Sequence, residues 1–148
     1  MEIKINHVIY PIHFGIAFQR EIDKRYDREI ESQGGISFGL GLIYLMPKVG
    51  LGDPVALCDC IQAGTITLQQ KPSLFDIENF LYADETNLEE LGQNFMKAFN
   101  DSKAITKTLE NLNKMGEKMF GGPQKAKPTP KAAEKKTSKK AADKPTED

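Results

Sequence analysis

The chain has no tryptophan, two cysteines and two histidines in 148 residues, and no apolar run long enough to cross a bilayer. Each shortage removes a class of protein. Cys58 and Cys60 stand in Leu-Cys-Asp-Cys-Ile, a spacing that sets them about 200° apart around a helix, so they are badly placed to bond each other or to share a metal. His7 and His13 belong to a different segment and show none of the Cys-x-x-Cys or His-x-x-x-His spacing of a zinc site. No metal and no cofactor are expected. Cys58 is expected to pack as a small apolar core residue, with Cys60 nearer the helix surface.

The longest apolar stretch, Ile36 to Met46, is interrupted by Ser37, Gly39, Gly41 and Tyr44 and then meets Pro47-Lys48, whereas a membrane span takes about twenty residues. Glu2 and Lys4 break up the start of the chain, where a secretory signal would need an apolar core. The expectation is a soluble, intracellular protein without a membrane partner. Catalytic signatures are also missing. Gly39-Leu40-Gly41 and Gly50-Leu51-Gly52 lack the Gly-Lys-Ser/Thr or strand-to-helix context of a phosphate cradle. No serine or cysteine sits where a base would activate it. Asp84-Glu85 and Glu89-Glu90 fall at a helix start, where they complement the macrodipole. No catalytic residue is nominated, and an enzyme is not expected.

What the chain does have is charge sorted into two regions. Residues 121–148 carry eight lysines against Glu134, Asp143, Glu147 and Asp148, a formal +4, while the first 120 residues hold twelve basic against seventeen acidic, a formal −5. From Gly121-Gly122-Pro123 onward there is no aromatic residue and no aliphatic larger than alanine. Such a segment buries too little apolar surface to offset its ordering entropy, so a disordered Lys/Ala/Pro-rich tail is expected over 121–148.

Residues 1–120 read as one hairpin followed by helices. Ile3, Ile5, Val8, Tyr10 and Ile12 alternate on either side of Asn6-His7, a two-residue turn whose asparagine tolerates positive φ. Phe14, Phe18, Ile22, Tyr26 and Ile30 then recur every four residues as a helical stripe, with Arg20, Glu21, Lys24, Arg25 and Arg28 to the side. Gly34-Gly35 should stop that helix. Phe38, Leu42, Leu45 and Met46 give the next one a buried character before Pro47 and Gly50 end it. Asp53-Pro54 is an N-cap and first-turn pair opening a helix that buries Leu57, Cys58, Ile61 and Leu68. Ser73 with Asp76 has the form of a capping box, opening a short helix through Phe75, Ile77, Phe80 and Leu81, and Thr86 with Glu89 repeats the device ahead of Leu88, Leu91, Phe95 and Phe99. A break is expected at Asn100 to Ser102. The last helix, Lys103 to Phe120, carries Ile105, Leu109, Leu112, Met115, Met119 and Phe120. The fold class is α+β and mainly α: an N-terminal β-hairpin packed on a helical domain of residues 1–120, then the tail.

At several points the wording resembles that of the tail assembly chaperones of long-tailed bacteriophages, of the type found in phages of Gram-positive hosts. The resemblance is carried by MEIKIN, a turn, a Tyr-Pro strand and REIDKRY, then by GGISFGLGLIYLMPKVGLGDPVALCDCIQAG with its DPVAL helix start, then by KPSLFDIENFL. It covers residues 1 to roughly 100. It implies a non-enzymatic role in siphovirus tail morphogenesis, keeping a long helical tape-measure protein soluble and helping to bring in tail-tube protein, in part through a longer frameshifted form. It also implies action in the host cytoplasm and absence from the mature virion, with self-association left open.

Two readings of the last helix stand side by side. Its apolar stripe packs on the core, or its outer part engages a client through Leu109, Leu112, Met115, Met119 and Phe120, the methionines repacking around different partners. A rival function is a small nucleic-acid-associated protein whose lysine tail neutralises phosphates. The acidic body, and a tail without arginine or aromatic residues, argue against it.

Phe18→Asp should cost several kcal/mol in thermal or denaturant unfolding, because it puts an unpaired carboxylate in the middle of the first helical stripe. On this reading Cys60→Ser should be nearly silent. NMR relaxation of the full chain should show sharp, random-coil signals for residues 124–148.

Overall fold

The computed structural model describes residues 1–26 and 39–120, with the side chains of Met119 and Phe120 outside that set. The expectations for Arg28, Ile30, Gly34-Gly35, Phe38 and the tail lie outside the described residues.

Strands β1 (Glu2–Ile5) and β2 (Val8–Pro11) pair antiparallel, Ile3 opposite Tyr10 and Ile5 opposite Val8. Asn6 and His7 both take left-handed conformations, φ 51° and 65°, the geometry a two-residue turn needs to match the strand twist. The Ile12 N–H donates to the Met1 carbonyl at 2.9 Å, extending the ladder by one pair. Ile3, Ile5 and Ile12 are buried on the core face, and Ile9, on the opposite face, is exposed.

Helix α1 (Ile16–Arg25) buries Phe18 and Ile22, and Tyr26, its C-cap, is also buried. Phe14 precedes the helix but still joins the stripe. Its ring meets Phe18 and Phe99 edge-on, each with centroids 5.1 Å apart, and Phe95 at 6.3 Å.

Helix α2 (Leu40–Gly50) is capped from another helix. The Asp23 carboxylate on α1 accepts from the Gly39 N–H at 3.1 Å and the Gly41 N–H at 2.9 Å, two of the donors a helix start leaves unpaired. Pro47 does not end α2 but sits inside it. Its missing N–H would have reached the Ile43 carbonyl, and both residues are exposed, so water can take that acceptor. The helix ends at Gly50, as expected, and Gly52, with φ of 74°, closes a Schellman motif beyond it: the Asp53 N–H donates to the Lys48 carbonyl and the Gly52 N–H to the Val49 carbonyl.

Helix α3 (Pro54–Gly64) begins as its sequence indicates, the Asp53 side chain accepting from the Val55 and Ala56 N–H groups. Its core stripe is Leu57, Cys60, Ile61 and Gly64. Cys60 is therefore buried and Cys58 only partly so, the reverse of the expected pair. Three- and four-residue spacing from Leu57 selects 60 and 61, and residue 58 falls beside the stripe. Leu68 lies beyond the helix and is partly buried.

Helix α4 (Leu74–Leu81) opens with the full capping box of Ser73 and Asp76. Asp76 Oδ1 also accepts from Asn6 Nδ2 at 2.8 Å, fastening the hairpin turn to the helix start. Ile77 and Leu81 are buried, but Phe75 is exposed. Helix α5 (Leu88–Asp101) is capped one residue later than expected: Asn87, not Thr86, accepts from the Glu90 N–H. The Thr86 hydroxyl instead donates to the Phe80 carbonyl at 2.6 Å. Ser102 is extended and makes the break, and α6 (Lys103–Phe120) follows.

The core lies where α1, α2, α3 and α5 meet under the hairpin, with Phe18, Phe95, Phe99, Leu42, Leu45, Leu57 and Ile105 among its fully buried side chains. Gly92 of α5 touches the Val49 carbonyl of α2 so closely that a Cβ there would collide with it. Gly116 of α6 has open space around it among the described residues. Gly92→Ala should therefore destabilise the domain by about 1–3 kcal/mol through overpacking against backbone. Gly116→Ala should stabilise it by about 0.5–1 kcal/mol through helix propensity. Chemical denaturation of the two variants checks both signs.

Candidate functional site

The apolar stripe of α6 changes character along its length. Ile105 is fully buried and Leu109 packs against the core cluster. Thr108 lies against Gly39, with Leu112 next to it over the start of α2. A polar clasp holds the same stretch to α1: the Thr108 hydroxyl donates to Gln19 Oε1 at 2.7 Å, and Gln19 Nε2 donates to the Ala104 carbonyl at 3.3 Å. Leu112 and Met115 are each partly exposed. Met119 and Phe120 continue the helix, their side chains outside the described residues. Of the five nominated positions, Leu109 thus faces inward, and Leu112 and Met115 lie at the edge of the packed region.

A second apolar surface, not anticipated from the sequence, lies at α3 and α4. Leu51, Val55, Leu74 and Tyr82 are at least half exposed. Between α3 and α4 runs a groove of about 240 Å³, lined by Val55, Cys58 and Gln62 from one helix and Leu74, Glu78 and Tyr82 from the other. Asp59 on its wall is held by Arg25 at 2.7 Å, and the same guanidinium donates to Gln62 and to Glu21. Val55, Leu74 and Tyr82 are apolar residues that flank the buried stripes of their helices, a signal present in the sequence but outweighed there by the core pattern.

Among the described residues no group of three or more His, Cys, Asp or Glu side chains is placed to hold a metal ion. No helix among them is long and apolar enough to cross a membrane.

A family model described as phage tail assembly chaperone protein, TAC, matches residues 2–114. That span takes in the hairpin, α1 to α5 and most of α6, including Leu109 and Leu112, and stops one residue before Met115. No curated protein and no solved structure matches the chain.

The two thiols differ sharply in environment. Burial pushes the Cys60 thiol well above its ordinary range, the Asp59 carboxylate adds to this, and Arg25 opposes it. Cys58, on the groove wall, is raised for the same leading reason, with Asp59 and Glu78 contributing. Cys60→Ser should therefore cost about 1–2 kcal/mol, since a hydroxyl replaces a thiol inside the core, and Cys58→Ser should stay within about 0.5 kcal/mol. A thiol reagent applied to the native protein should modify Cys58 slowly and Cys60 only after denaturation, because the thiolate is the reactive form. Peptide mapping of the labelled chain reads this out.

Proposed function

The chain belongs to the phage tail assembly chaperone family, and on that premise we propose that it binds and solubilises the tape-measure protein and helps recruit tail-tube subunits while the tail is built. The observation that carries the reading is the family match across nearly all of residues 1–120. The work takes place in the host cytoplasm, before the virion is mature.

The physical requirement is modest. A long amphipathic helical client aggregates through its apolar face, so its caretaker needs an apolar surface that tolerates different side chains and a charged exterior that keeps the pair apart from other pairs. The outer part of α6 supports the first. Leu112 and Met115 are partly exposed on the same stripe as the inward-facing Leu109, and Met119 and Phe120 follow at helical spacing. Leu109 anchors the stripe from within, and contact with the client is made by the four residues beyond it. The formal −5 of residues 1–120 supports the second. A binding role of this kind calls for no catalytic group and no cofactor.

Co-expression of the tape-measure protein with and without this chain, followed by pull-down at low and high salt, is the test. The expected outcome is a soluble tape-measure protein whose complex survives high salt, because screening weakens exposed charge contacts far more than apolar burial. Leu112→Glu with Met115→Glu should return the client to the pellet while leaving the chaperone folded. A tape-measure protein that stays insoluble, together with tight and salt-sensitive binding of the chain to DNA, would refute the proposal in favour of a nucleic-acid role.

A further inference from the structure

The groove between α3 and α4 combines exposed apolar side chains with an exposed carboxylate. On α3, Val55, Cys58 and Gln62 are spaced by three and four; on α4, Leu74, Glu78 and Tyr82 are spaced by four. Each set is one helical stripe, about two turns or 11–12 Å long. Two facing stripes of that length accept about two turns of a third helix, read through side chains at i, i+3 or i+4 and i+7. Val55, Leu74 and Tyr82 are 66, 50 and 68% exposed, so apolar surface is already present for such a helix to cover.

Charge selects among helices. Asp59 is already compensated by Arg25. Glu78 is exposed and takes part in no ion pair among the described residues. It stands in the middle of the α4 stripe, between Leu74 and Tyr82. An occupant must therefore bring an apolar row to the floor and a lysine or arginine to Glu78. The chain's own tail cannot fill this role, since its apolar side chains beyond residue 120 are only alanine and helix-breaking proline. Pro11 removes one donor from the outer edge of β2, which weakens strand addition there.

We propose that the α3–α4 groove binds an amphipathic client helix whose apolar row is flanked by basic residues, with Glu78 selecting the basic flank. The proposal rests on the chaperone reading for the existence of helical clients, but not on the α6 contact.

Two dye-labelled synthetic helices of about fourteen residues, sharing one leucine row and flanked by lysines or by glutamates, serve as probes in fluorescence anisotropy with the full chain. The lysine-flanked peptide should bind at least about tenfold more tightly than the other. Val55→Glu and Tyr82→Glu should each weaken it by a similar factor, with circular dichroism and melting unchanged. Glu78→Lys should reverse the preference, so that the glutamate-flanked peptide becomes the tighter ligand. Met115→Glu should leave peptide binding intact even where tape-measure solubilisation is lost, which separates failure of this site from failure of the α6 reading. The proposal is overturned if neither peptide binds, if the two bind equally, or if Glu78→Lys leaves the preference unchanged. It is also overturned if ultracentrifugation shows self-association that Val55→Glu abolishes, since the groove would then be filled by a second copy.

Discussion

Four phenylalanines hold the three ends of this structure together. Phe14 lies just past the hairpin, Phe18 on α1, and Phe95 and Phe99 on α5, and Phe14 meets the other three rings at interplanar angles of 73 to 87°. Edge-to-face contacts of this kind are worth about 0.5–1.5 kcal/mol each beyond the area they bury. Their larger effect is geometric. With Phe14 fixed, Ile12 is brought against Gly64 and the His13 N–H reaches the Gly64 carbonyl at 2.9 Å, which seats the hairpin on the end of α3. With Phe95 fixed, Gly92 one turn earlier comes against α2. The hairpin is thus part of the core and not an appendage to it.

Carboxylates then set the angles between elements that apolar packing leaves free. Asp23 serves α2 from α1, and Asp76 serves both its own helix and the hairpin turn. Asp59 receives Arg25 across the α1–α3 contact. Each is a charged acceptor with a defined donor, and such bonds are directional where hydrophobic contact is not. Glu78, like Asp84 and Glu85, is exposed and outside the ion pairs of the described residues, but it alone of the three lines the α3–α4 groove between Leu74 and Tyr82.

What could be read from the sequence was what is decided locally. The Asn6-His7 turn, the Asp53-Pro54 start, the Ser73–Asp76 box and the break at Ser102 each depend on residues within four positions of one another, and each is present. The apolar stripe through Phe18 and Ile22 is likewise present. Where two local signals compete, the surrounding structure decides between them. Pro47 looks like a stop, yet its lost bond falls on an exposed face and the helix runs on to Gly50, with the left-handed Gly52 closing it beyond. Thr86 and Asn87 are both good caps, and a tertiary bond from Thr86 to Phe80 decided between them. Cys60 and not Cys58 joins the buried stripe, because it lies three residues from Leu57 and Cys58 only one. The Asp23 cap and the α3–α4 groove were not legible at all, because each joins residues far apart in the chain.

Ile3 and Ile105 are both buried in one core. A chain made from its N-terminus therefore produces the hairpin first and the surfaces that cover it last, since α5 and the start of α6 must exist before the phenylalanine cluster can close. Until then Ile3, Ile5, Ile12 and Phe14 stand uncovered on the nascent polypeptide, and native contacts of long sequence separation form slowly. The order of synthesis thus runs against the order of burial. In the interval before residue 105 is made, the protein carries the same kind of unprotected apolar surface that it is proposed to shield on others.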